Sequence, residues 1–113
     1  MRKPKTLKEA IIILDELLDK GEKDERNYIK QMSGDKDMIV YHQTVGRDMR
    51  NQWGLWQSEK SLELKTELKN FGCGEHHDDM SMFILNLFYH HVKSPELPIE
   101  TVINEQCIKK SLE

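Results

Sequence analysis

Residues 80–89 read MSMFILNLFY, the longest apolar stretch in the chain. This stretch is about half as long as a membrane-spanning helix has to be, so it predicts a helix buried in a protein core. The helix is expected to begin with Asp78 or Asp79 as its N-cap and to end at the Ser94-Pro95 pair. Its apolar face would consist of Phe83, Ile84, Leu87, Phe88 and His91.

The first half of the chain predicts three helices. Thr6 and Glu9 have the spacing of a capping box, so the first helix should start there and run to Lys20. A short, highly charged helix is expected within residues 22–32. Asp35 is the predicted N-cap of the third helix. The inward stripe of this third helix would be Met38, Tyr41, His42, Val45, Met49 and Trp53.

Two more helices complete the predicted fold. Ser58 is a suitable N-cap for a fourth helix, which Gly72 would end. Pro98 suits the first turn of the last helix. Because no alternating apolar and polar run predicts a strand, the sequence indicates an all-α fold of five or six short helices.

The composition bounds the class of protein. With 113 residues, the chain is expected to form one compact helical domain over residues 1–113, with residues 1–5 and 110–113 flexible. Its 17 Lys and Arg residues are mixed with 20 Asp and Glu residues, so neither a nucleic-acid surface nor a membrane partner is predicted. Two cysteines without a disulfide framework, and no signal peptide, favour the cytoplasm.

The stretch RNQWGLWQ places Trp53 and Trp56 three positions apart. Aromatic side chains at helical spacing usually pack inward, so we expect both rings to belong to the core. Arg47 and Arg50 flank the pair, and guanidinium groups bind carboxylate or phosphate bidentately. The alternative use of this surface is therefore to bind a small anionic ligand with an aromatic ring. The predicted ligand-binding residues are Arg47, Arg50, Asn51, Trp53, Trp56, His76 and Asp79.

The stretch GEHHDDMS adds candidates for catalysis. His76 and His90 are suited to general acid–base catalysis near neutral pH. Asp78 or Asp79 would orient the imidazole or hold a cation. Cys73 and His76 have the spacing of one half of a zinc site, which His42, His90 or His91 would have to complete. Because no second half-site accompanies them, neither a metal ion nor another cofactor is expected.

Several of these positions belong to motifs that resemble those of a known protein family. The motifs are RNQWGLW at residues 50–56, Phe71-Gly72, HHDDMSMFIL at residues 76–85 and the pair Tyr89-His90. Together they resemble a family of small uncharacterised bacterial and phage domains with the signature RNxWGLW, HxDDMSxxIL and YH. The similarity covers about residues 38–104, and His77 departs from it where the family tends to have proline. The resemblance implies a shared fold but supplies no activity.

Three classes of function follow as hypotheses. The first is a non-enzymatic binding protein that engages a host protein or sequesters a small anionic ligand, since no nucleophile–base pair or phosphate loop is present. The second is a small metal-assisted or His/Asp acid–base hydrolase. The third is a structural homodimer or larger homo-oligomer. We also expect the RNQWGLW and GEHHDDMS stretches to touch, with polar groups at the rim of the contact.

Overall fold

Helix α5 (His77–Lys93) is the centre of the fold. The structure is a computed structural model that describes residues 1–21 and 24–112, and side chains as far as Cys107. The other elements are α1 (Leu7–Lys20), α2 (Glu25–Lys30), a 3-10 helix (Asp35–Tyr41), α3 (Val45–Gln52), α4 (Leu62–Asn70) and α6 (Ile99–Leu112). All of them except α4 pack closely on α5, and α4 packs on α1. The all-α prediction is confirmed, although the described residues form seven helices rather than five or six.

The buried helix predicted from MSMFILNLFY is confirmed. Because helices contact α5 on several sides, most of its circumference is buried, including the polar side chain of Ser81. Leucine and isoleucine side chains from α1 and leucines from α4 extend the same core. The radius of gyration is 13.2 Å, as expected for a compact chain of this length. Across the described ranges, every helix is too short or too polar to traverse a bilayer.

Helix α1 begins and ends where the sequence predicts. Thr6 Oγ1 accepts a hydrogen bond from Glu9 N at 3.1 Å, which satisfies one of the unpaired amides of the first turn. The residues before α1 lie against the end of α3, where Trp53 Nε1 donates to the Arg2 carbonyl at 3.0 Å. The flexibility expected of the two ends stays a prediction, and Glu113 lies outside the described residues.

The third helix predicted from Asp35 onwards is two elements, the 3-10 helix and α3, separated by residues 42–44. In this break the His42 carbonyl accepts a hydrogen bond from Arg50 Nη2 at 3.2 Å. The apolar spacing gives no sign of the break between the two helices, because buried residues of the predicted stripe lie on both sides of it. The N-cap role predicted for Asp35 is also wrong. Its carboxylate oxygen Oδ2 instead lies 3.0 Å from His90 Nε2.

Helix α4 starts later than predicted, after Ser61 rather than after Ser58. The residues between α3 and α4 form a run of turns in which Gly54 has a φ of +66°. A Cβ atom at this position would lie 2.8 Å from the Lys60 Cβ, so the turn needs glycine for both its backbone conformation and its space. At the other end, α4 stops before Gly72, as predicted.

The start of α5 also corrects the sequence prediction. His76, rather than Asp78 or Asp79, is the N-cap, and its Nδ1 accepts a hydrogen bond from Asp78 N at 3.1 Å. An imidazole nitrogen can accept this bond as a carboxylate would, so the helix begins before the aspartates. Both aspartates lie in the first turn, where their charges complement the helix dipole.

Candidate functional site

The two sequence motifs meet where α3 packs against the first turn of α5. Arg50 of α3 is buried, with 8% of its surface exposed. Its Nη1 donates to Ser81 Oγ at 2.9 Å, and its Nε lies 3.4 Å from Asp78 Oδ1. Gly46 makes room for the guanidinium, because a Cβ atom there would lie 3.1 Å from Nη1. The predicted contact between the two stretches is therefore confirmed, but the prediction that polar groups lie only at its rim is wrong, because Arg50 and Ser81 are buried.

Groups of the protein itself already pair with the guanidinium of Arg50. Besides Ser81 and Asp78, the His42 carbonyl accepts a hydrogen bond from Nη2. A buried charge needs such partners, since its desolvation is costly when they are missing. An external anion would have to displace Asp78 to reach this side chain. In this protein, Arg50 joins the break after the 3-10 helix to α5.

Three imidazoles surround the half-exposed carboxylate of Asp78. Its Oδ1 lies 3.7 Å from His77 Nε2 and 3.9 Å from His42 Nε2. Its Oδ2 lies 3.8 Å from His76 Nδ1. Within the part of the chain that the structure describes, the metal-ligand atoms of His76, His77 and Asp78 come within 4.8 Å of one another. Cys73, the predicted half-site partner of His76, is not a member of this group.

The surroundings of this group oppose a cation. The first turn of α5 carries the positive end of the helix dipole. The guanidinium of Arg50 lies close to the same carboxylate, so a metal ion would be repelled from two directions. Imidazole and carboxylate groups are suitable zinc ligands, but here they could hold a metal only against this repulsion. The catalytic roles predicted for His76 and Asp78 stay predictions.

His90, the remaining catalytic candidate, is far from this cluster. Fourteen residues separate it from His76 along the chain. At the rise of an α-helix, that spacing amounts to roughly 20 Å. His90 pairs instead with Asp35 at the other end of α5. The structure therefore does not bring the two histidines together in one site.

Next to His90, a partly buried ion-pair cluster ties α5 to α1 and α2. His91 Nε2 lies 2.5 Å from Asp15 Oδ2, and Arg26 Nη1 donates to Asp15 Oδ1 at 3.0 Å. Burial alone would raise the pKa of Asp15, but the hydrogen bonds from His91 and Arg26 outweigh burial and hold the pKa below its ordinary value. This cluster is part of the packing between helices.

The two tryptophans have opposite environments. Trp53 is fully buried, whereas Trp56 is 56% exposed, because the chain turns at the glycine between them. The expectation that both rings belong to the core is confirmed for Trp53 and wrong for Trp56. The other predicted ligand residues, Arg47, Asn51 and Asp79, are exposed.

Trp56 lines a surface groove of about 460 Å³, which we call the Trp56 groove. Its apolar wall includes Leu62 and Met80, and Leu62 is 59% exposed. Its polar wall includes Lys65 and Lys69 of α4. Sequence reasoning missed the two lysines. Their spacing of four residues places them on one face of α4, but nothing in the sequence places that face beside a tryptophan.

The lysines of the Trp56 groove differ in their partners, and only that of Lys69 is weak. The Lys65 ammonium donates to the Gln57 carbonyl, and burial lowers the pKa of Lys65 from its ordinary value. Lys69 Nζ lies 3.8 Å from Glu75 Oε1, and both side chains are largely exposed. Exposed pairs of this kind contribute at most about 1 kcal/mol, so a ligand can compete with them.

A second cavity, of about 350 Å³, lies among α1, α2, the 3-10 helix, α3 and α5. Its walls are mainly apolar. The main polar feature is the Tyr41 hydroxyl, which donates to Glu25 Oε2 at 2.6 Å. Burial and the adjacent Glu25 carboxylate raise the pKa of Tyr41 well above its ordinary value. The two residues are 16 positions apart, and no sequence signal connects them.

Comparison with known proteins gives a family without an activity. Neither a curated protein nor a solved structure matches the chain. A family model described as "Domain of unknown function (DUF6794)" matches residues 3–92, which include both motifs and start well before the predicted region of similarity at residues 38–104. The resemblance to a family of uncharacterised domains is confirmed. Since the match covers most of its 113 residues, the chain belongs to the DUF6794 family.

Proposed function

We propose that this protein is a binding protein that holds a small anionic ligand with an aromatic ring in the Trp56 groove. The observation that carries the proposal is the 56% exposure of Trp56 beside two lysines. A tryptophan ring has a large apolar face that water solvates poorly, and exposed tryptophans are enriched where proteins bind ligands and partners. A ligand ring stacked on Trp56 would remove that face from water.

The charge of the groove favours an anion. Lys65 and Lys69 lie one helical turn apart on α4 and both line the groove. Their ammonium groups attract a carboxylate or phosphate as point charges. Glu75 is the acidic residue of the wall, and its single negative charge offsets only part of the charge of the two lysines. The ligand that fits both walls is an aromatic carboxylate or phosphate.

The proposal keeps the ligand class predicted from the sequence but changes its cationic residues. Arg50 is bound to Asp78 and Ser81 inside the protein, whereas the exposed Glu75 partner of Lys69 is one that a ligand can replace. We also propose that the protein acts in the cytoplasm of a bacterium or of a phage-infected cell. The cytoplasm is reducing, and a chain with only two cysteines does not depend on a disulfide framework.

The test is titration with phenyl phosphate, followed by two-dimensional NMR of the backbone amides and by tryptophan fluorescence. Phenol serves as the uncharged control ligand. We expect saturable shifts at residues of the groove with phenyl phosphate and much weaker ones with phenol, because the lysines recognise the charge. Trp56→Ala and Lys69→Met should each weaken binding several-fold.

Arg47→Met is the matched control variant, since Arg47 is an exposed cation outside the groove. It should bind phenyl phosphate as well as the parent protein does. Loss of binding in this variant would indicate that the arginines predicted from the sequence, rather than the lysines of the groove, bind the anion. Equal shifts with phenol and phenyl phosphate, or shifts that survive both groove substitutions, would refute the proposal.

A further inference from the structure

The 350 Å³ cavity between α1, α2, the 3-10 helix, α3 and α5 is a separate feature from the Trp56 groove. We propose that this cavity is a second binding site, which takes a small hydrocarbon-rich molecule that carries an amine or hydroxyl donor. In this arrangement the hydrocarbon part contacts the apolar walls, and the Glu25 carboxylate accepts the donor.

The size of the cavity carries the first step. Protein interiors are packed as densely as organic crystals, and voids larger than a water molecule are few. An apolar cavity of about 150 Å³ already binds benzene. A volume of about 350 Å³ is therefore enough for a molecule of up to three fused rings, and it lies within the range of small-molecule pockets.

The chemistry of the walls carries the second step. Leu14 and Leu18 of α1, Ile29 of α2, Val45 of α3 and Phe88 of α5 present hydrocarbon to the cavity. Water would find few hydrogen-bond partners on such walls, whereas the transfer of an apolar molecule from water to these walls is favourable. These five side chains belong to four different helices, so the site exists only in the folded domain.

The polar residues of the cavity decide which end of the ligand binds where. Glu25 lines the cavity and accepts one hydrogen bond, from the Tyr41 hydroxyl. A carboxylate can accept further bonds on its remaining lone pairs. A ligand amine or hydroxyl would supply one, whereas a ligand carboxylate would be repelled. The charge of this site therefore favours neutral or cationic molecules, the opposite of the Trp56 groove.

Access to the cavity is through its edge at Leu17, which lines the cavity and is 41% exposed. A small molecule can enter from solvent at this exposed edge. A partner helix would need a much larger exposed groove. The occupant that the walls fit is a small molecule.

The test uses 1-aminoanthracene, a neutral aromatic amine whose fluorescence rises in apolar surroundings. We expect saturable binding to the full chain. Val45→Phe places a larger ring in the cavity and should weaken binding at least about tenfold, a cost of about 1.4 kcal/mol. Val40→Phe is the matched control, because Val40 is 52% exposed and does not line the cavity. It should leave the affinity unchanged.

A second variant covers the case that Val45→Phe fails to fold. Leu17→Trp blocks the cavity at its exposed edge and should weaken dye binding in a protein whose circular dichroism matches that of the parent. Neither variant touches the Trp56 groove, so phenyl phosphate binding should persist in both. Equal dye affinity in the cavity variants and in Val40→Phe, or no saturable binding to the parent protein, would overturn the proposal.

Discussion

Replacement of Arg50 by alanine is the substitution whose effect can be worked out most fully from the structure. The side chain is buried and joins three parts of the fold. It donates to Ser81 Oγ on α5 and to the His42 carbonyl in the break before α3, and it lies 3.4 Å from the Asp78 carboxylate. Alanine removes all of these contacts together.

The contacts differ in what their loss costs. Hydrogen bonds to a charged group contribute about 1.5–3 kcal/mol each, and a buried carbonyl left without a partner costs about 1–3 kcal/mol. The His42 carbonyl would lose its partner but is only part-buried, so its cost falls at the lower end of that range. Asp78 adds little, because its side chain is 46% exposed and water can solvate it. Because such contributions are not additive, we expect Arg50→Ala to lower the free energy of unfolding by about 3–5 kcal/mol, the range for removing one partner of a buried charged network.

Urea unfolding followed by circular dichroism measures this change directly. Arg47→Ala is the matched control, since Arg47 is an exposed arginine of the same helix and its loss should change stability by less than about 0.5 kcal/mol. Arg50→Lys should recover only part of the loss, because an ammonium cannot replace the fork of guanidinium donors. Equal stabilities of Arg50→Ala and Arg47→Ala would refute the assignment of Arg50 as the link between α3 and α5.

Two further predictions use the same unfolding measurement. Trp53→Ala should cost about 3–5 kcal/mol because it empties a fully buried site, and Trp56→Ala should cost less than about 0.5 kcal/mol; similar losses for both would contradict the environments described. The pKa of Asp15 lies below its ordinary value of 3.8, so its bonds with His91 and Arg26 stabilise the fold fully above that pH and are lost as the pH falls through the lower value of the folded protein. Asp15→Asn should therefore lower the free energy of unfolding at neutral pH and make that free energy fall less steeply as the pH is lowered. If the variant lost stability on acidification as steeply as the parent protein does, Asp15 would not contribute to the acid dependence.

Much of the helical structure could be read from the chain itself. The apolar run of α5, the capping Thr6 of α1 and the stop at Gly72 all involve residues within a few positions of one another, and local spacing predicts such features. The resemblance to a family, rather than local pattern, grouped the RNQWGLW and GEHHDDMS stretches, which do meet. Local pattern failed at the break before α3, where the His42 carbonyl accepts a bond from an arginine side chain eight positions later instead of continuing a helix.

The environments of individual side chains were decided by the tertiary structure. Trp53 and Trp56 look equivalent by spacing, yet one turn at Gly54 buries the first ring and exposes the second. The lysines beside Trp56 and the Glu25–Tyr41 pair come from elements that only packing brings together. Periodicity along the chain determined which residues form helices, because hydrogen bonds within a helix are local. The grooves and charges between helices depend on how those helices pack, so only the folded chain decides them.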